Sequence, residues 1–369
     1  MRIALVHDWL TGMRGGEKVL DAICELYPDA PLYTLVRVPG AVSPRIERRR
    51  IVTSALQALP GAGRVYRNLL PLFPAAIELF DLDEYDVVIS SSHCAAKSVI
   101  HRGGAVHVCY CHSPMRYAWD QFPAYFGPAQ VGALRSRGLR PVMAALARWD
   151  AATAGRVNRF LANSQYVAGR IRRYYNRRST LVYPPVDTTF YTPDADRHGA
   201  GGHLIVSALV PYKRVDVAIE ACRLAGVPLT VVGRGPELAK LQQLAGQNVT
   251  FSGWLPDEEI RDLYRRSSAV LLPGVEDFGL VPVEAQACGT PVVALARGGA
   301  AETVVDGVSG VLVDDSSVEA FAEGVRRVGS LPLDPEAIRA NAERFSRPRF
   351  LAEFQSAVDE ALADGAARW

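Results

Sequence analysis

The chain has 369 residues, which is enough for two or three domains and a large hydrophobic core. Apolar residues make up 49% and charged residues 22% of it, a composition typical of a soluble globular protein and not of a disordered one. No run reaches the roughly 18–20 apolar residues of a membrane span, and the N-terminal MRIALVHDWL is too short and polar for a signal peptide. Six cysteines without framework spacing predict reduced thiols and a cytoplasmic protein.

Charge is divided unevenly along the chain. The net charge is +2, but residues 1–185 carry 24 Lys and Arg against 13 Asp and Glu, while the remainder carries 17 against 26. A basic first half suggests an anionic partner, either a lipid-linked diphosphate acceptor or the acidic headgroups at the inner face of a membrane. Arginine-rich helices that are merely exposed to solvent are an equally good interpretation.

The N-terminal stretch predicts the first unit of a doubly wound sheet. Arg2–His7 is an apolar run typical of a buried parallel strand, and Glu17–Tyr27 has the apolar spacing of a helix. Gly15 and Gly16 lie in the loop between them. They do not form G-x-G-x-x-G, so they are no dinucleotide signature, and they predict instead a close approach of backbone to a ligand.

The next features leave two interpretations open and argue against a metal. Arg64–Phe80 is apolar, broken by proline and flanked by arginine, so it is either a membrane-contacting or acceptor-binding face or a set of core helices ended by proline. Asp81 and Asp83 mimic a D-x-D metal motif, but they precede a strand instead of following one. We therefore predict no metal from this pair.

A histidine follows the predicted strand Val106–Cys111. Ligands of open parallel sheets bind beyond the carboxyl ends of strands, so the position of His112 indicates function, although a lone histidine can also be a hydrogen-bonded structural residue. His107, Cys109 and Cys111 lie close in sequence. Side chains alternate along a strand, so these three do not converge with His112 on a tetrahedral metal site.

The second half begins after a linker. Asp194–Gly202 is polar, glycine-rich and without periodicity, and His203–Leu209 starts a second series of strands. Lys213 enters the helix that follows, where its charge can neutralise a diphosphate, and Arg214 comes next to it. An exposed first helical turn is the alternative.

The segment from residue 271 to 293 predicts a nucleotide-sugar site. The strand Ala269–Leu272 leads to Glu276 and the small loop Phe278-Gly279-Leu280, and a helix then carries Glu284. A helix N-terminus suits an anion such as a diphosphate, and flanking carboxylates suit sugar hydroxyls. A strand–turn–helix unit with two solvated acids is the alternative.

Glu276 and Glu284, within the pattern PxxEDFGLxxxEAxACGxPVVA, resemble the E-x7-E motif of the retaining glycosyltransferases of family 4, which share the GT-B fold. The resemblance implies that Glu276 contacts the donor sugar and Glu284 the nucleotide ribose. It also implies that the backbone of Phe278, Gly279 and Leu280 lies near the diphosphate.

Other segments resemble the same family in the same order. The loop with Gly15 and Gly16 resembles its first loop, close to donor diphosphate and acceptor. The segment YCHSPMRYAWD resembles bacterial mannosyltransferases that build O-antigen and exopolysaccharide, in which the histidine, here His112, lies by the donor sugar and reacting centre. The acceptor contacts that we predict are His7, Trp9 and Arg116. The donor contacts that we predict at further strand ends are Gly233, Trp254 and Leu255.

One position departs from the family pattern. Lys213 matches a lysine that contacts the diphosphate, but the arginine that usually lies five residues earlier is replaced by Ala208. We expect Arg214 to supply the missing charge. His112, Lys213 and Glu276 are therefore the predicted catalytic residues, with no metal and no other cofactor.

The resemblance implies an α/β protein of the GT-B fold, with two Rossmann-like doubly wound domains facing a cleft. The predicted domains are an acceptor domain, 1–190, a nucleotide-sugar domain, 200–345, and a C-terminal helix, 346–369, that crosses back to the N-domain. No nucleic acid is expected as a partner.

The predicted reaction is retaining transfer of a sugar to a glycan or lipid-linked glycan in surface polysaccharide synthesis. GDP-mannose is the predicted donor, on the YCHSPMRYAWD segment alone. The alternatives are a UDP-sugar-dependent glycosyltransferase, a nucleotide-sugar epimerase of the same fold, and a catalytically silent binding protein.

Overall fold

The computed structural model describes residues 1–194 and 201–366, which form two compact units. The first unit is Met1–Pro185 together with the chain from Phe350 onward, and the second unit is Val186–Arg349. The predicted divisions at residues 190 and 345 differ from these by a few residues. Most of the predicted linker, residues 195–200, lies outside the described residues.

Backbone hydrogen bonds explain why residues 186–190 belong to the second unit. The N–H of Val186 donates to the carbonyl of Phe345 at 2.9 Å, and the N–H of Arg347 donates back to Val186 at 3.1 Å. The guanidinium of Arg339 binds the carbonyl of Thr188 at 3.0 Å. These bonds hold the start of the second unit against its last turn.

The first unit is built on a seven-stranded parallel sheet of order β3-β2-β1-β4-β5-β6-β7. The strands are β1 (Ile3–His7), β2 (Leu32–Thr34), β3 (Ile51–Thr53), β4 (Val87–Ser92), β5 (Val106–Cys111), β6 (Arg159–Ala162) and β7 (Ser179–Leu181). The order reverses between β1 and β4, which is the topological switch point of a doubly wound sheet. Strand β1 lies within the predicted strand Arg2–His7, and β5 has the predicted bounds Val106–Cys111.

Helices cover both faces of this sheet. Ala4 and Val6 belong to one buried core and Leu5 to the other, because neighbouring residues of a strand point to opposite faces. The helices are α1 (Gly15–Leu26), α2 (Pro44–Glu47), α3 (Ala62–Val65), α4 (Phe73–Glu78), α5 (Arg116–Trp119), α6 (Phe122–Phe126), α7 (Pro128–Val131), α8 (Ala133–Thr153) and α9 (Gln165–Tyr175). Short 3₁₀ segments lie at Ala55–Ala58, Tyr66–Leu72, Ala96–Ser98 and Ala154–Arg156.

The arginine-flanked segment 64–80 is mainly core. Tyr66, Leu70, Phe73 and Ile77 are all buried, and they pack in the same core as Val6. Pro71 lies inside its 3₁₀ stretch, where it prevents a continuous helix. The interpretation as proline-broken core helices therefore holds for these four side chains, while Leu72 and Leu79 stay exposed.

The second unit contains a six-stranded parallel sheet of order β10-β9-β8-β11-β12-β13. Its strands are β8 (His203–Val206), β9 (Leu229–Val232), β10 (Val249–Gly253), β11 (Ala269–Leu272), β12 (Val292–Leu295) and β13 (Gly310–Val313). Its helices are α10 (Val215–Ala225), α11 (Leu238–Leu244), α12 (Asp257–Arg266), α13 (Leu280–Ala287), α14 (Ala300–Thr303), α15 (Val318–Ser330) and α16 (Pro335–Glu343). A 3₁₀ turn spans Pro211–Lys213. The switch point here lies between β8 and β11.

The last helix, α17 (Arg347–Ala366), packs on the first unit from Phe350 onward. Phe350 and Phe354 are fully buried and lie against Tyr110 of β5, with ring centroids 5.7 and 6.1 Å away. Truncation of one such ring to alanine typically costs about 3–5 kcal/mol. The predicted return of the C-terminal helix to the N-terminal domain is confirmed.

Within the residues that the structure describes, no helix is both long and apolar enough to cross a bilayer.

Candidate functional site

The first unit gathers three histidines at the switch point of its sheet. His7 ends β1, His93 follows β4 and His112 follows β5, so all three lie at carboxyl ends of neighbouring strands. Their ring centroids are 5.9, 6.2 and 6.5 Å apart. We call these three residues the histidine cluster. It lies where ligands bind in open parallel sheets.

Ser91 connects two members of the cluster. His7 and Ser91 are opposite each other in the pairing of β1 with β4, so their side chains lie on one face. The Ser91 Oγ lies 3.1 Å from His7 Nδ1 and 2.8 Å from His112 Nε2. Both imidazoles are thereby fixed in orientation, which leaves Nδ1 of His112 for other contacts.

The glycine loop lies beside these rings. Gly15 and Gly16 form the first turn of α1, and a Cβ on Gly16 would lie 3.6 Å from His7 Cε1 and 3.8 Å from His112 Nε2. The helix N-terminus thus faces the histidine cluster. The predicted residues Gly16, His7 and His112 come together, as the sequence interpretation requires of a shared site.

A buried carboxylate holds the loop that carries His93. Asp8 is fully buried, and its two oxygens accept the backbone N–H groups of residues 93–96 at 2.7, 3.0, 2.5 and 2.8 Å. His93 Nδ1 lies 3.1 Å from the same carboxylate. Charge-assisted bonds of this kind are stronger than neutral ones. Asp8 therefore fixes both the turn after β4 and the imidazole of His93.

Burial favours the neutral form of two rings of the cluster, His93 and His112. Burial lowers the pKa of His112 well below its usual value, and the nearby His93, His7 and Arg116 lower it further. Burial also lowers the pKa of His93, against the opposing charge of Asp8. A neutral imidazole offers one donor and one acceptor nitrogen. This arrangement suits hydrogen bonding to sugar hydroxyls.

Glu17 closes the cluster from α1. Its carboxylate accepts the N–H of Arg14 at 3.1 Å and lies 3.9 Å from His7 Nε2. Burial opposes its ionisation, yet the contacts with His7 and the backbone keep the pKa of Glu17 below its usual value. Glu17 is therefore a buried anion beside His7.

Two predicted acceptor contacts border the cluster. Trp9 is only 4% exposed, and its ring centroid lies 4.4 Å from His93 in an edge-on arrangement, so it forms a wall. Arg116 is half-buried at the start of α5, and its charge contributes to the lowered pKa values of His93 and His112.

The second unit places a charge pair at its own switch point. The loops after β8 and β11 approach closely because Gly274 has no side chain: a Cβ there would lie 2.5 Å from the carbonyl oxygen of Tyr212 and 2.8 Å from Lys213 Cα. The Lys213 Nζ forms an ion pair with Glu276 Oε1. Their side chains are 16% and 13% exposed. We call this pair the lysine–glutamate site.

Two glycines hold the loop of Glu276 from the other side. A Cβ on Gly298 would lie 2.3 Å from the Glu276 carbonyl oxygen, and one on Gly299 would lie 2.2 Å from that of Phe278. The N–H of Gly299 donates to Glu276 at 2.9 Å. Gly279, at φ +87°, turns the chain into α13. The loop geometry thus depends on backbone-to-backbone packing.

The start of α13 gives this loop few backbone donors. Leu280 and Val281 open the helix and point their N–H groups toward its N-terminal end, whereas Pro282 has no N–H. Phe278 is buried against Phe345, with ring centroids 5.5 Å apart. The predicted diphosphate contacts, Lys213 and the backbone of Phe278, Gly279 and Leu280, lie beside this helix start, and their role stays a prediction.

Glu284 and Arg214 have other partners. Glu284, on α13, is buried and accepts the hydroxyl of Tyr264 at 3.1 Å; burial and the charge of Glu284 raise the pKa of Tyr264 well above its usual value. Arg214 caps α10 with φ +52°, and its Nε lies 3.2 Å from Asp216 Oδ1. That Arg214 supplies the positive charge missing at Ala208 stays a prediction. A diphosphate bound there would share the Arg214 guanidinium with Asp216.

The remaining predicted donor residues lie at adjacent strand ends. Gly233, at φ +144°, donates its N–H to Gly253 at 2.6 Å, and a Cβ there would lie 1.8 Å from the Ser207 carbonyl oxygen. Trp254 follows β10 and is 65% exposed, and Leu255 is half-buried. An exposed ring at this edge is available for stacking.

These features define a class of protein with two doubly wound parallel sheets, each with polar residues at its switch point. The Anabaena protein HepE in complex with UDP has the same fold, with a TM-score of 0.72 at 20% identity over 98% of this chain and 100% of that one. Sucrose-phosphate synthase from Thermosynechococcus elongatus gives a TM-score of 0.65 at 19% identity over 100% and 98%. The fold is GT-B.

Family models match both units. "Glycosyltransferase Family 4" matches residues 13–190 and "Glycosyl transferases group 1" matches residues 203–345. The chain belongs to the family 4 glycosyltransferases.

Curated relatives are similar over part of their length. A GDP-mannose-dependent alpha-(1-6)-phosphatidylinositol monomannoside mannosyltransferase of Mycolicibacterium smegmatis is 34% identical over 48% of this chain and 53% of that protein. A D-inositol 3-phosphate glycosyltransferase of the same organism is 34% identical over 57% and 55%. The chain spans about half the length of the curated relatives it matches.

Sequence reasoning missed Asp8, Ser91 and His93. A signal for Ser91 and His93 exists: Ser90 to His93 is a polar run at the carboxyl end of an apolar strand, where ligands bind. The contacts of Asp8 with residues 93–96 join positions more than 80 residues apart, which no local pattern shows.

Proposed function

We propose that the chain transfers a sugar from a nucleotide diphosphate sugar to an acceptor hydroxyl, with retention of configuration at the anomeric carbon. The observation that carries this proposal is the lysine–glutamate site at the start of α13. An ammonium beside helix amides suits a diphosphate, and a carboxylate beside it suits sugar hydroxyls. Membership of family 4 supports the same reaction.

The proposed step is a substitution on one face of the sugar. The bond between the anomeric carbon and the diphosphate oxygen breaks, and its electron pair goes to that oxygen. The acceptor oxygen bonds to the anomeric carbon on the same face, and its proton goes to the leaving diphosphate. Lys213 and the helix amides stabilise the charge that builds on the diphosphate, so we expect no metal requirement.

GDP-mannose is the donor that we propose, and a lipid-linked or free glycan of a surface polysaccharide is the proposed acceptor. The YCHSPMRYAWD segment and the relative named as a GDP-mannose-dependent mannosyltransferase support this donor. A UDP-sugar is the second candidate, because HepE has been determined in complex with UDP-glucose. The histidine cluster is the proposed site for hydroxyls at the reacting centre.

A donor-hydrolysis screen tests the proposal. GDP-mannose, UDP-glucose and related donors are incubated with the chain, and release of the nucleotide diphosphate is measured with and without a chelator. We expect slow hydrolysis of one donor that Lys213→Ala abolishes and that Glu258→Ala, an exposed acid of α12, leaves unchanged. An epimerised donor in place of free sugar would indicate an epimerase, and binding without turnover a silent binding protein.

A further inference from the structure

The first unit contains a cavity with three arginines beside the histidine cluster. Its volume is about 240 Å³, and its lining residues are Thr11, Arg14, Gly63, Arg64, Tyr66 and Arg67. We call it the arginine pocket. Drug-sized ligands generally occupy cavities of roughly 300–1,000 Å³, so this one suits a small group of a ligand and not a whole nucleotide sugar.

The charge of this pocket is compensated only through space, by Glu17 acting on Arg14. Among residues 1–194 and 201–366, no carboxylate forms an ion pair with the side chains of Arg14, Arg64 or Arg67. Other arginines of the same unit differ: Arg45 pairs with acids of α1 at 2.5 and 3.4 Å, and Arg170 pairs with Asp120 at 2.9 Å. Three unpaired guanidinium groups around one cavity create a positive potential that attracts an anion.

The floor of the pocket is a buried, oriented hydroxyl. Tyr66 is 4% exposed; its oxygen lies 3.4 Å from Thr11 Oγ1 and 3.5 Å from Arg14 Nη1, and Arg67 stacks over its ring at 5.6 Å. Burial would raise the pKa of Tyr66, but the hydrogen bonds from Thr11 and Arg14 and the charge of Arg67 lower it. The phenol therefore experiences a net cationic environment.

The pocket adjoins the histidine cluster through stacked rings. The centroid of Trp9 lies 5.0 Å from that of Tyr66 and 4.4 Å from that of His93. An anion in the arginine pocket thus lies close to the place where we propose that the acceptor hydroxyl reacts.

Guanidinium forks match phosphate oxygens in geometry, and hydroxyls add further bonds. We propose that the arginine pocket binds a phosphate or diphosphate group of the acceptor. This inference rests on the proposed glycosyl transfer, and it deepens it by naming the acceptor class. The group belongs either to a lipid phosphate or to a soluble phosphorylated sugar. Exposed Val65 and Val38, the latter in contact range of Gly63, offer an apolar border for a lipid.

Direct binding tests the pocket without any turnover. Inorganic pyrophosphate is titrated by calorimetry into the Lys213→Ala variant, which lacks the cation of the lysine–glutamate site. We expect the double variant Arg64→Gln/Arg67→Gln to bind at least about tenfold more weakly, with a reduced salt dependence. Arg135→Gln/Arg137→Gln removes the same two charges from exposed positions of α8, outside the pocket, and it serves as the matched control. Equal affinity in the double variant and the control would overturn the proposal.

Kinetics distinguish the two sources of the phosphate. With the natural Lys213, three acceptors carrying one glycan are compared: a polyisoprenyl diphosphate, a soluble glycosyl phosphate and a phosphate-free form. We expect the double variant to raise KM at least about tenfold for one or both phosphorylated acceptors, and the acceptor affected identifies the source. A phosphate-free acceptor used as well as the others, with no effect of the double variant, would overturn the proposal.

Failure of the proposed function and failure of the pocket proposal give different results. If the unaltered chain hydrolyses no nucleotide sugar, the proposed function fails while pyrophosphate titration still decides on the pocket. If it hydrolyses a donor but the double variant matches Arg135→Gln/Arg137→Gln, the pocket proposal alone fails.

Discussion

The two candidate sites of this chain differ in the charges of their side chains and in the contacts that hold them. The histidine cluster consists of rings held by Ser91 and by the buried Asp8, in a sheet whose switch point lies between β1 and β4. The lysine–glutamate site consists of two opposite charges on loops held by glycine contacts. The first site offers hydrogen-bonding groups of fixed orientation. The second offers charge that is already neutralised internally.

This difference has a consequence for ligand binding. Lys213 pairs with Glu276, so a diphosphate that binds there must share Lys213 with that carboxylate. Each ion has a desolvation cost that the partner offsets, and removal of one partner leaves the other uncompensated. In the histidine cluster, burial favours the neutral imidazoles of His93 and His112, which Asp8 and Ser91 orient by hydrogen bonds. Substitutions should therefore change the charge balance of the lysine–glutamate site and the orientation of the rings in the histidine cluster.

The largest effect is expected for Glu276→Ala. Loss of the sugar contact should lower transfer by roughly a thousandfold, because the carboxylate acts on the reacting sugar. Binding of bare GDP should persist or tighten, since Lys213 loses its internal partner. Transfer rates and calorimetric titration with GDP check both parts. Activity within a few-fold of that of Glu258→Ala would show that the sugar contact is wrongly assigned.

Asp8→Asn should destabilise the first unit and spare the second. The carboxylate accepts four backbone N–H groups, and an amide can accept with only one oxygen, so about 3 kcal/mol of the free energy of unfolding should be lost. For a unit of this size that lowers Tm by about 6–12 °C. Calorimetry with hydrogen exchange assigned to peptides of each unit measures it.

The matched control for that experiment is Asp29→Asn, an exposed aspartate of the same unit. Equal shifts in the two variants, or faster exchange in peptides of the second unit, would contradict the role given to Asp8.

The folds of both units follow largely from sequence, whereas the site contacts do not. The strands Val106–Cys111 and Ala269–Leu272 have the predicted bounds because their apolar runs end at His112 and Pro273. Strands β3 and β7 have three residues each, too few for a periodic signal.

Site contacts depend on strand register and on side-chain pairing. The contact of Ser91 with His7 follows from the pairing of β1 with β4, which a single sequence does not give. The sequence predicts that Arg214 contacts a ligand diphosphate, and the structure shows its guanidinium beside Asp216, two positions later. Local sequence thus predicts elements well and predicts the partners of charged side chains poorly.

Acid should weaken the first unit more than the second. Burial lowers the pKa of three histidines in the first unit, His93, His107 and His112, whereas among the described residues of the second unit it lowers that of His203. Burial lowers the pKa of His107 to about 3, with smaller contributions from His101 and Lys97. An unfolded histidine titrates near pH 6.5, so between those values the unfolded state binds one more proton and stability falls as pH falls. At pH 5 this amounts to about 2 kcal/mol.

His107→Gln should remove this part of the pH dependence. Urea unfolding at pH 7 and pH 5, followed by hydrogen exchange in peptides of the first unit, gives the slope of the free energy of unfolding against pH. A loss of stability that is equal at both pH values does not change this slope. His203→Gln is the counterpart in the second unit, where burial lowers the pKa of His203 to about 4. An unchanged slope in His107→Gln would show that this residue does not carry the effect.

Ser91→Ala should produce the smallest effect and the most specific one. It removes the hydroxyl that lies 2.8 Å from His112 Nε2 and 3.1 Å from His7 Nδ1, so the imidazole of His112 loses its fixed orientation. We expect kcat of transfer to fall about tenfold with little change in KM for the donor, because an outer hydrogen bond orients a reacting group without binding substrate. Ser91→Thr keeps the hydroxyl and should restore most of the rate.

Ser90→Ala is the matched control, since its hydroxyl lies 2.8 Å from His107 on the other face of the same strand. A role confined to stability would lower Tm in Ser91→Ala and leave kcat equal to that of Ser90→Ala, whereas a positioning role lowers kcat and changes its dependence on pH.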